Sequence, residues 1–225
     1  MKVDPSVYDE MYLNDDQTYE DPANSPYYPV FEAVVAEARR LQSSNILEVG
    51  CGSGTLGKML LDAGMTYRGF DLAKEGVRKA GRRAVGAAEL FVGDATDPTS
   101  YERDYDTIVC IEVLEHVDAD LEAVGNWKPG CRVICSVPNF DYATHVRKFA
   151  DEREVMERYG GLIRIDRITR IRKKIWSHGL TVSDYLRRLR WSRDEPRRLA
   201  GLLGIRQFDW HGGWFLFSGE RTNLR

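Results

Sequence analysis

Ile46-Leu47-Glu48-Val49-Gly50-Cys51-Gly52-Ser53-Gly54 carries a short apolar run straight into three glycines at alternate positions. A strand that turns at once into a helix needs positive φ, and a backbone bare enough for a ligand to lie against it; glycine supplies both at low cost. Beyond the glycines, Leu56, Met59, Leu60 and Ala63 fall at i, i+3, i+4 and i+7, one face of a helix, and Gly64 is placed to end it. The stretch reads as strand, glycine turn and helix, the context in which such a motif binds a nucleotide-like cofactor.

Three further strands follow at the spacing of βα units. Residues 67–70 lead to Asp71-Leu72, Leu90-Phe91-Val92 to Gly93-Asp94-Ala95, and 105–111 to Glu112-Val113-Leu114-Glu115-His116. A carboxylate at the carboxyl end of a parallel strand projects over the crevice there, so Asp71 can accept hydrogen bonds from both hydroxyls of a ribose. Asp94 stands one strand further along the same edge, where it or its neighbouring backbone can receive an adenine amino group. With Glu48, four consecutive strands carry an acidic residue at or just past their carboxyl ends.

In this order the motifs resemble those of class I S-adenosylmethionine-dependent methyltransferases, closely over about residues 30–140 and in outline over the rest. The resemblance implies an α/β fold: a doubly wound, seven-stranded, mostly parallel sheet with an antiparallel last strand. It implies S-adenosyl-L-methionine as cofactor, with Glu48, Gly50, Cys51, Gly52 and Gly54 at its methionine part, Asp71 at the ribose, and Asp94 with Ala95 at the adenine. Leu72 belongs to the same binding set, and Glu112 lies near the methionine end beside the acceptor. A nicotinamide dinucleotide is the rival, because Gly52-Ser53-Gly54-Thr55-Leu56-Gly57 also satisfies G-x-G-x-x-G. Against it, the strand ends at Val49, which makes Gly50 the first turn glycine, and little chain is left for a second substrate-bearing domain.

The remaining chain divides into a core and two additions. A fifth strand covers 131–137, and 207–210 with 214–218 read as a hairpin joined by His211-Gly212-Gly213 that supplies the antiparallel last strand. Residues 138–205, between the fifth and sixth strands, exceed what a crossover needs and are expected to contain a helical, basic cap insertion. Within it, Leu162-Ile163-Arg164-Ile165 followed by Ile168 and Ile171 suggests a short strand passing into a helix or turn, and 182–190 and 194–203 read as helices. Residues 1–29 form the other addition, an arm holding five of the eleven tyrosines, Tyr8, Tyr12, Tyr19, Tyr27 and Tyr28. Either it folds over the cofactor as an aromatic lid, or its tyrosines only pack it onto the sheet. Residues 30–225, opening with a helix that shows Phe31, Val34, Val35 and Ala38 on one face, make up the methyltransferase domain.

Composition agrees with one enzyme domain. At 225 residues the chain can bury a full core. No run of about 18 apolar residues occurs and the start lacks a secretory pattern, so no membrane partner and a cytoplasmic location are expected. Cys51, Cys110, Cys131 and Cys135 fall in or beside central strands as small buried groups. Cys131 and Cys135 are about 13 Å apart along a strand, and no disulfide or metal site is implied. Residues 147–198 hold 16 Lys plus Arg against 8 Asp plus Glu, within a chain whose net charge is −3. That excess fits an anionic acceptor, phosphorylated or nucleotide-linked, or nucleic acid, and equally a solvated helix face.

Methyl transfer asks mainly for in-line positioning in a dry site, with a base when the acceptor arrives protonated. His145 and His116 are the candidate catalytic residues, each of which could instead orient the substrate or pack. His178 and His211 lie farther from the motifs. Arg147 and Lys148 are placed to hold an acceptor's anionic group, or else simply to lie at a solvated helix terminus. The leading function is methyl transfer to an oxygen or nitrogen of a small molecule. RNA methylation through the basic segment comes second, and a non-catalytic binding protein third.

Overall fold

The computed structural model describes residues 5–14, 22–25, 27–172 and 213–222. Helices α1 (Pro5–Asn14) and α2 (Tyr28–Arg40) precede β1 (Asn45–Val49), α3 (Thr55–Asp62), β2 (Thr66–Asp71), α4 (Lys74–Arg83), β3 (Glu89–Val92) and β4 (Thr107–Ile111). Then come α5 (Asp120–Gly125), β5 (Arg132–Pro138), α6 (Glu152–Tyr159), β6 (Ile163–Arg172) and β7 (Gly213–Arg221).

The seven strands form one sheet in the order β3-β2-β1-β4-β5-β7-β6. Neighbours among the first five are parallel, and β7 runs antiparallel to both β5 and β6. Strand order reverses between β1 and β4, and a crevice outside the carboxyl ends of the strands opens at such a reversal. The fold class expected from the motifs is the fold found.

The sequence explains the two-sided core. Ile108 and Cys110 of β4 pack with Leu47, Val133, Cys135, Trp127, Phe215 and Phe217 on one face. The alternate residues Val109 and Ile111 pack with Ile46, Ile134, Val34, Leu60 and Trp214 on the other. Strands covered on both faces have no polar side, and so their sequences read as continuous apolar runs. All four cysteines lie buried and free in this core.

The sixth strand differs from the expected one. It is Ile163–Arg172, and residues 214–218 have β5 on one side and β6 on the other, which leaves no edge for a hairpin with 207–210. A register shift between Ile165 and Arg167 breaks the two-residue spacing of Ile163 and Ile165, so that Ile168 and Ile171 follow at intervals of three. That slip makes one bulged strand look like a short strand followed by something else. Arg164, Asp166, Arg167 and Arg170 charge this outer edge, a pattern that discourages further strand pairing. The long interval therefore falls between β6 and β7, at 173–212, and not between the fifth and sixth strands. It lies outside the described residues, together with 207–210, the expected helices 182–190 and 194–203, and both His178 and His211.

A buried charge ties α5 to α6. The fully buried Asp120 carboxylate accepts from Arg158 Nε at 2.7 Å and Nη2 at 2.5 Å, and from the Tyr159 hydroxyl at 2.9 Å. Arg147 Nη1 stands 3.3 Å from the same group. Removing one partner of such a cluster strands the others, so Asp120→Ala is expected to cost about 3 kcal/mol. Urea unfolding measures it, and a loss within experimental error of zero would show that the cluster is not holding the two helices.

Candidate active site

The glycine turn is built from left-handed backbone. Gly50, Gly52 and Gly54 have φ of +72°, +49° and +79°. A Cβ on Gly50 would lie 2.3 Å from Val113 Cγ2, and one on Gly54 would lie 2.8 Å from the Ala80 Cα. Only glycine satisfies both conditions, the positive φ and the missing atom. Asp71, at the end of β2, closes the turn. Its Oδ2 accepts from Gly52 N–H at 2.8 Å and its Oδ1 from Ala73 N–H at 2.8 Å. The Asp71 carbonyl accepts from Gly93 N–H at 3.0 Å, which carries the edge on to β3. Burial raises the proton affinity of the Asp71 carboxyl, and the two backbone donors pull it back.

The other expected cofactor residues line the same edge. Glu48 is 3% exposed and accepts a hydrogen bond from the Tyr67 hydroxyl. Burial pushes its carboxyl up to about 8, against the Tyr67 bond and with the help of Asp71. Cys51 is buried, its N–H donating to the Phe70 carbonyl at 2.9 Å, and Leu72 is half-buried. Asp94 caps its own turn, Oδ1 accepting from Thr96 N–H and Oγ1 at 2.8 Å each, while the Ala95 carbonyl accepts from the Tyr101 hydroxyl at 2.7 Å.

Helix α1 lies on this edge. Glu75 N–H, in the first turn of α4, donates to Asp9 Oδ1 at 2.9 Å, and Lys79 Nζ donates to the Tyr12 carbonyl. The Tyr12 hydroxyl is 2.8 Å from the point where a Gly52 Cβ would stand, and the Tyr12 ring is 3.0 Å from the point where a Gly76 Cβ would stand. The Tyr8 ring meets His116 edge-on at 6.3 Å. Burial, followed by the charge of Asp71, holds both phenols above their ordinary range, so they stay neutral.

Beyond β4 and β5 the structure brings the two candidate histidines together, with ring centroids 4.9 Å apart. Glu112 adopts φ +58°, unusual for a residue with a side chain. Ser136 on β5 anchors it, donating to Glu112 Oε1 at 3.0 Å and accepting from its N–H at 3.2 Å. The segment after β5 is clamped onto the Leu114–His116 turn by Val146 N–H, which donates to the Glu115 carbonyl at 2.8 Å. Arg147 completes the clamp by donating to the carbonyls of Leu114, Val117 and Asp118. Arg147 is thus a structural tie, and Lys148 pairs with Asp141; neither cation is held out for an acceptor. Glu115 is fully buried in this turn, a position that its place in a charged Glu-His pair did not reveal.

A family profile described as "Methyltransferase domain" matches residues 28–184. The chain belongs to the methyltransferase-domain family. Among relatives, the ubiquinone biosynthesis O-methyltransferase of Vibrio parahaemolyticus serotype O3:K6 (strain RIMD 2210633) is 31% identical over 114 residues, 47% of this chain and 48% of that protein. This methyltransferase-family chain therefore spans about half the length of the curated relatives it matches. Among solved structures, magnesium protoporphyrin IX methyltransferase from Synechocystis PCC 6803 with bound SAM superposes with a TM-score of 0.60 at 18% identity, covering 98% of each chain. The [4+2]-cyclase SpnF superposes with 0.63 at 14% identity, over 97% of this chain and 95% of that one. The second likeness shows that the fold alone does not fix the reaction.

The elevated Glu48 carboxyl gives this methyltransferase domain a measurable pH signature. Unfolded, Glu48 loses its proton near 4.5; folded, it keeps it to about 8. Between those values the native state holds a proton that the unfolded chain has released, so stability is full below the lower value and falls as pH rises. The limiting slope is about 1.4 kcal/mol per pH unit. Glu48→Gln should remove this fall, seen as urea midpoints that converge or cross from pH 5 to pH 8. Parallel wild-type and variant curves would mean that Glu48 is ionised in the native protein.

Proposed function

We propose that this chain moves the methyl group of S-adenosylmethionine onto an oxygen of a small-molecule acceptor. The observation that carries the proposal is the glycine turn with Asp71 locked across it, set at the reversal point of the sheet and followed, two strands away, by the paired histidines. Membership of the methyltransferase family agrees with it, and the named O-methyltransferase relatives favour oxygen over nitrogen. A cytoplasmic site of action goes with this reading. No helix among the described residues is long and apolar enough to cross a membrane.

The residues at hand fit the cofactor. Gly52 offers bare backbone, and Asp71 keeps further lone pairs on both oxygens for ribose hydroxyls. Glu48 and Glu112 would stand toward the cofactor's methionine part, and Asp71 toward its ribose. When bound, S-adenosylmethionine supplies an electrophilic methyl on a positive sulfur. The chain's own work is to align and to dry the site. Glycine backbone and strand-end carboxylates bind the donor, Tyr8 and Tyr12 on α1 keep water from its open side, and His116 with His145 holds the acceptor hydroxyl in line. With the donor bound, His116 and His145 would keep the acceptor hydroxyl turned toward the methyl and give its proton a path to solvent as the methyl is transferred. An anionic acceptor draws no support from Arg147 or Lys148, whose charges are already engaged.

Calorimetry with S-adenosylmethionine tests the donor half. Asp71→Ala is expected to weaken binding by about 1 to 3 kcal/mol, through loss of a charged acceptor and slackening of the turn. Unchanged affinity would remove Asp71 from the site. Label transfer from methyl-labelled donor to a panel of phenols, catechols, amines and structured RNA tests the other half. Transfer to hydroxyl compounds is expected, and transfer to RNA alone would replace the proposal with RNA methylation.

A further inference from the structure

Tyr67 of β2 is a fully buried phenol in a space cleared for it. A Cβ on Gly57 of α3 would come 2.5 Å from its hydroxyl oxygen, and one on Gly69 would come 2.6 Å from it. Through this gap the hydroxyl reaches Glu48, two residues before Gly50, and donates to Oε2. A phenol gives one hydrogen bond and, at neutral pH, no charge. The pair therefore holds a buried carboxyl without the cation that a buried carboxylate calls for.

The other elements around the pair bring no positive charge either. Asp71 faces it from the end of β2, Cys51 from the glycine turn, Tyr12 from α1 and Cys110 from β4. Each of these groups is neutral or negative. Burial, with Asp71 adding to it, pushes the Glu48 carboxyl up to about 8 against the pull of the Tyr67 bond, so the protein by itself keeps a proton there at neutral pH. A unit positive charge brought into so dry a place shifts the proton equilibrium of a buried carboxyl by about tenfold or more.

We propose that the Glu48–Tyr67 pair tells the charged donor from its spent product: Glu48 releases its proton when S-adenosylmethionine binds and keeps it when S-adenosylhomocysteine, with a neutral sulfur, does. This inference rests on the donor proposed above. Ionised, Glu48 attracts the positive end of the donor; once that charge is gone, a proton returns to Glu48 and the attraction ends. The proton released on binding equals the one taken back, so over a full cycle the pair adds none to the reaction. Tyr67 sets the pH at which the exchange occurs, because its hydrogen bond favours the ionised carboxylate. Product is thus disfavoured from beneath the glycine turn, by a pair that has no need to touch the methyl group.

Calorimetry of the full-length protein in buffers of different ionisation enthalpy counts the proton. The probes are S-adenosylmethionine, S-adenosylhomocysteine and sinefungin, which carries an ammonium group in place of the sulfonium. At pH 7, where the amino group shared by all three stays mostly charged, the two cationic ligands should each release most of one proton and the neutral-sulfur ligand close to none. From pH 5.5 to pH 7 affinity for the cationic pair should rise about tenfold, and for S-adenosylhomocysteine less than about threefold. Glu48→Gln keeps the shape and cannot ionise, so the difference between the ligands should vanish. Tyr67→Phe removes the donor that favours the carboxylate, and the rise should move to higher pH. Equal proton release by all three ligands would overturn the inference, and so would a folded Glu48→Gln protein that still releases the proton. Should that variant not fold, the wild-type ligand comparison and Tyr67→Phe decide alone. Binding of all three without proton release would remove this inference and leave the donor reading standing, whereas failure of all three to bind would remove both.

Discussion

Left-handed backbone at Gly50, Gly52 and Gly54 is the constraint on which the carboxyl edge depends. These residues set distances by what they lack. Because Gly50 has no Cβ, the chain leaving β4 can bring Val113 against it, and because Gly54 has none, α4 can pack its Ala80 backbone onto the start of α3. The turn thus fixes both the gap between β1 and β4, where the crevice opens, and the approach of the two helices behind it. Asp71 then fastens the turn to β2, so four elements meet within one short loop.

The electrostatics of this edge follow from its dryness. Glu48, Asp71 and Glu115 are all buried, and the groups that satisfy the first two are a phenol and backbone N–H donors, not ammonium or guanidinium groups. Burial without a cation raises proton affinity, and all three carboxyl groups show it. Such a surface attracts positive ligands. A sulfonium ligand would answer this shortage of positive charge. The nearby Arg147 spends its donors on carbonyls and Asp120, holding the loop in place without neutralising the edge.

Much of this was legible in the sequence because it is local. A glycine turn needs glycines at fixed spacing, and a parallel strand buried on both faces must be apolar almost throughout, so β1 to β5 and the acidic residue at or just past the end of each of the first four could be placed from the chain alone. β6 escaped because its bulge shifts the isoleucine phase at Asp166, and the final hairpin was misjudged because pairing partners are a matter of topology. The two histidines were singled out individually. Their meeting was hidden, since 28 residues separate His116 from His145 and the contact depends on carbonyl clamps that leave no pattern in side chains. Glu115 reads as an exposed charge beside a histidine. Only the tight turn of Leu114–His116 shows that it points inward.

The order β5-β7-β6 has a consequence for how the molecule comes into being. Strand β6 is made by the ribosome before β7, yet among the described residues it pairs with the sheet only through β7. Until that strand emerges, β5 presents an open, strongly apolar edge and β6 waits as an unattached charged ribbon. The sheet therefore cannot grow strand by strand as it is synthesised; its last-made strand slides into a slot between two earlier ones. Nascent chains stalled before residue 213 would carry the glycine turn and both candidate histidines on a scaffold with an unsealed flank, the kind of surface that chaperones recognise.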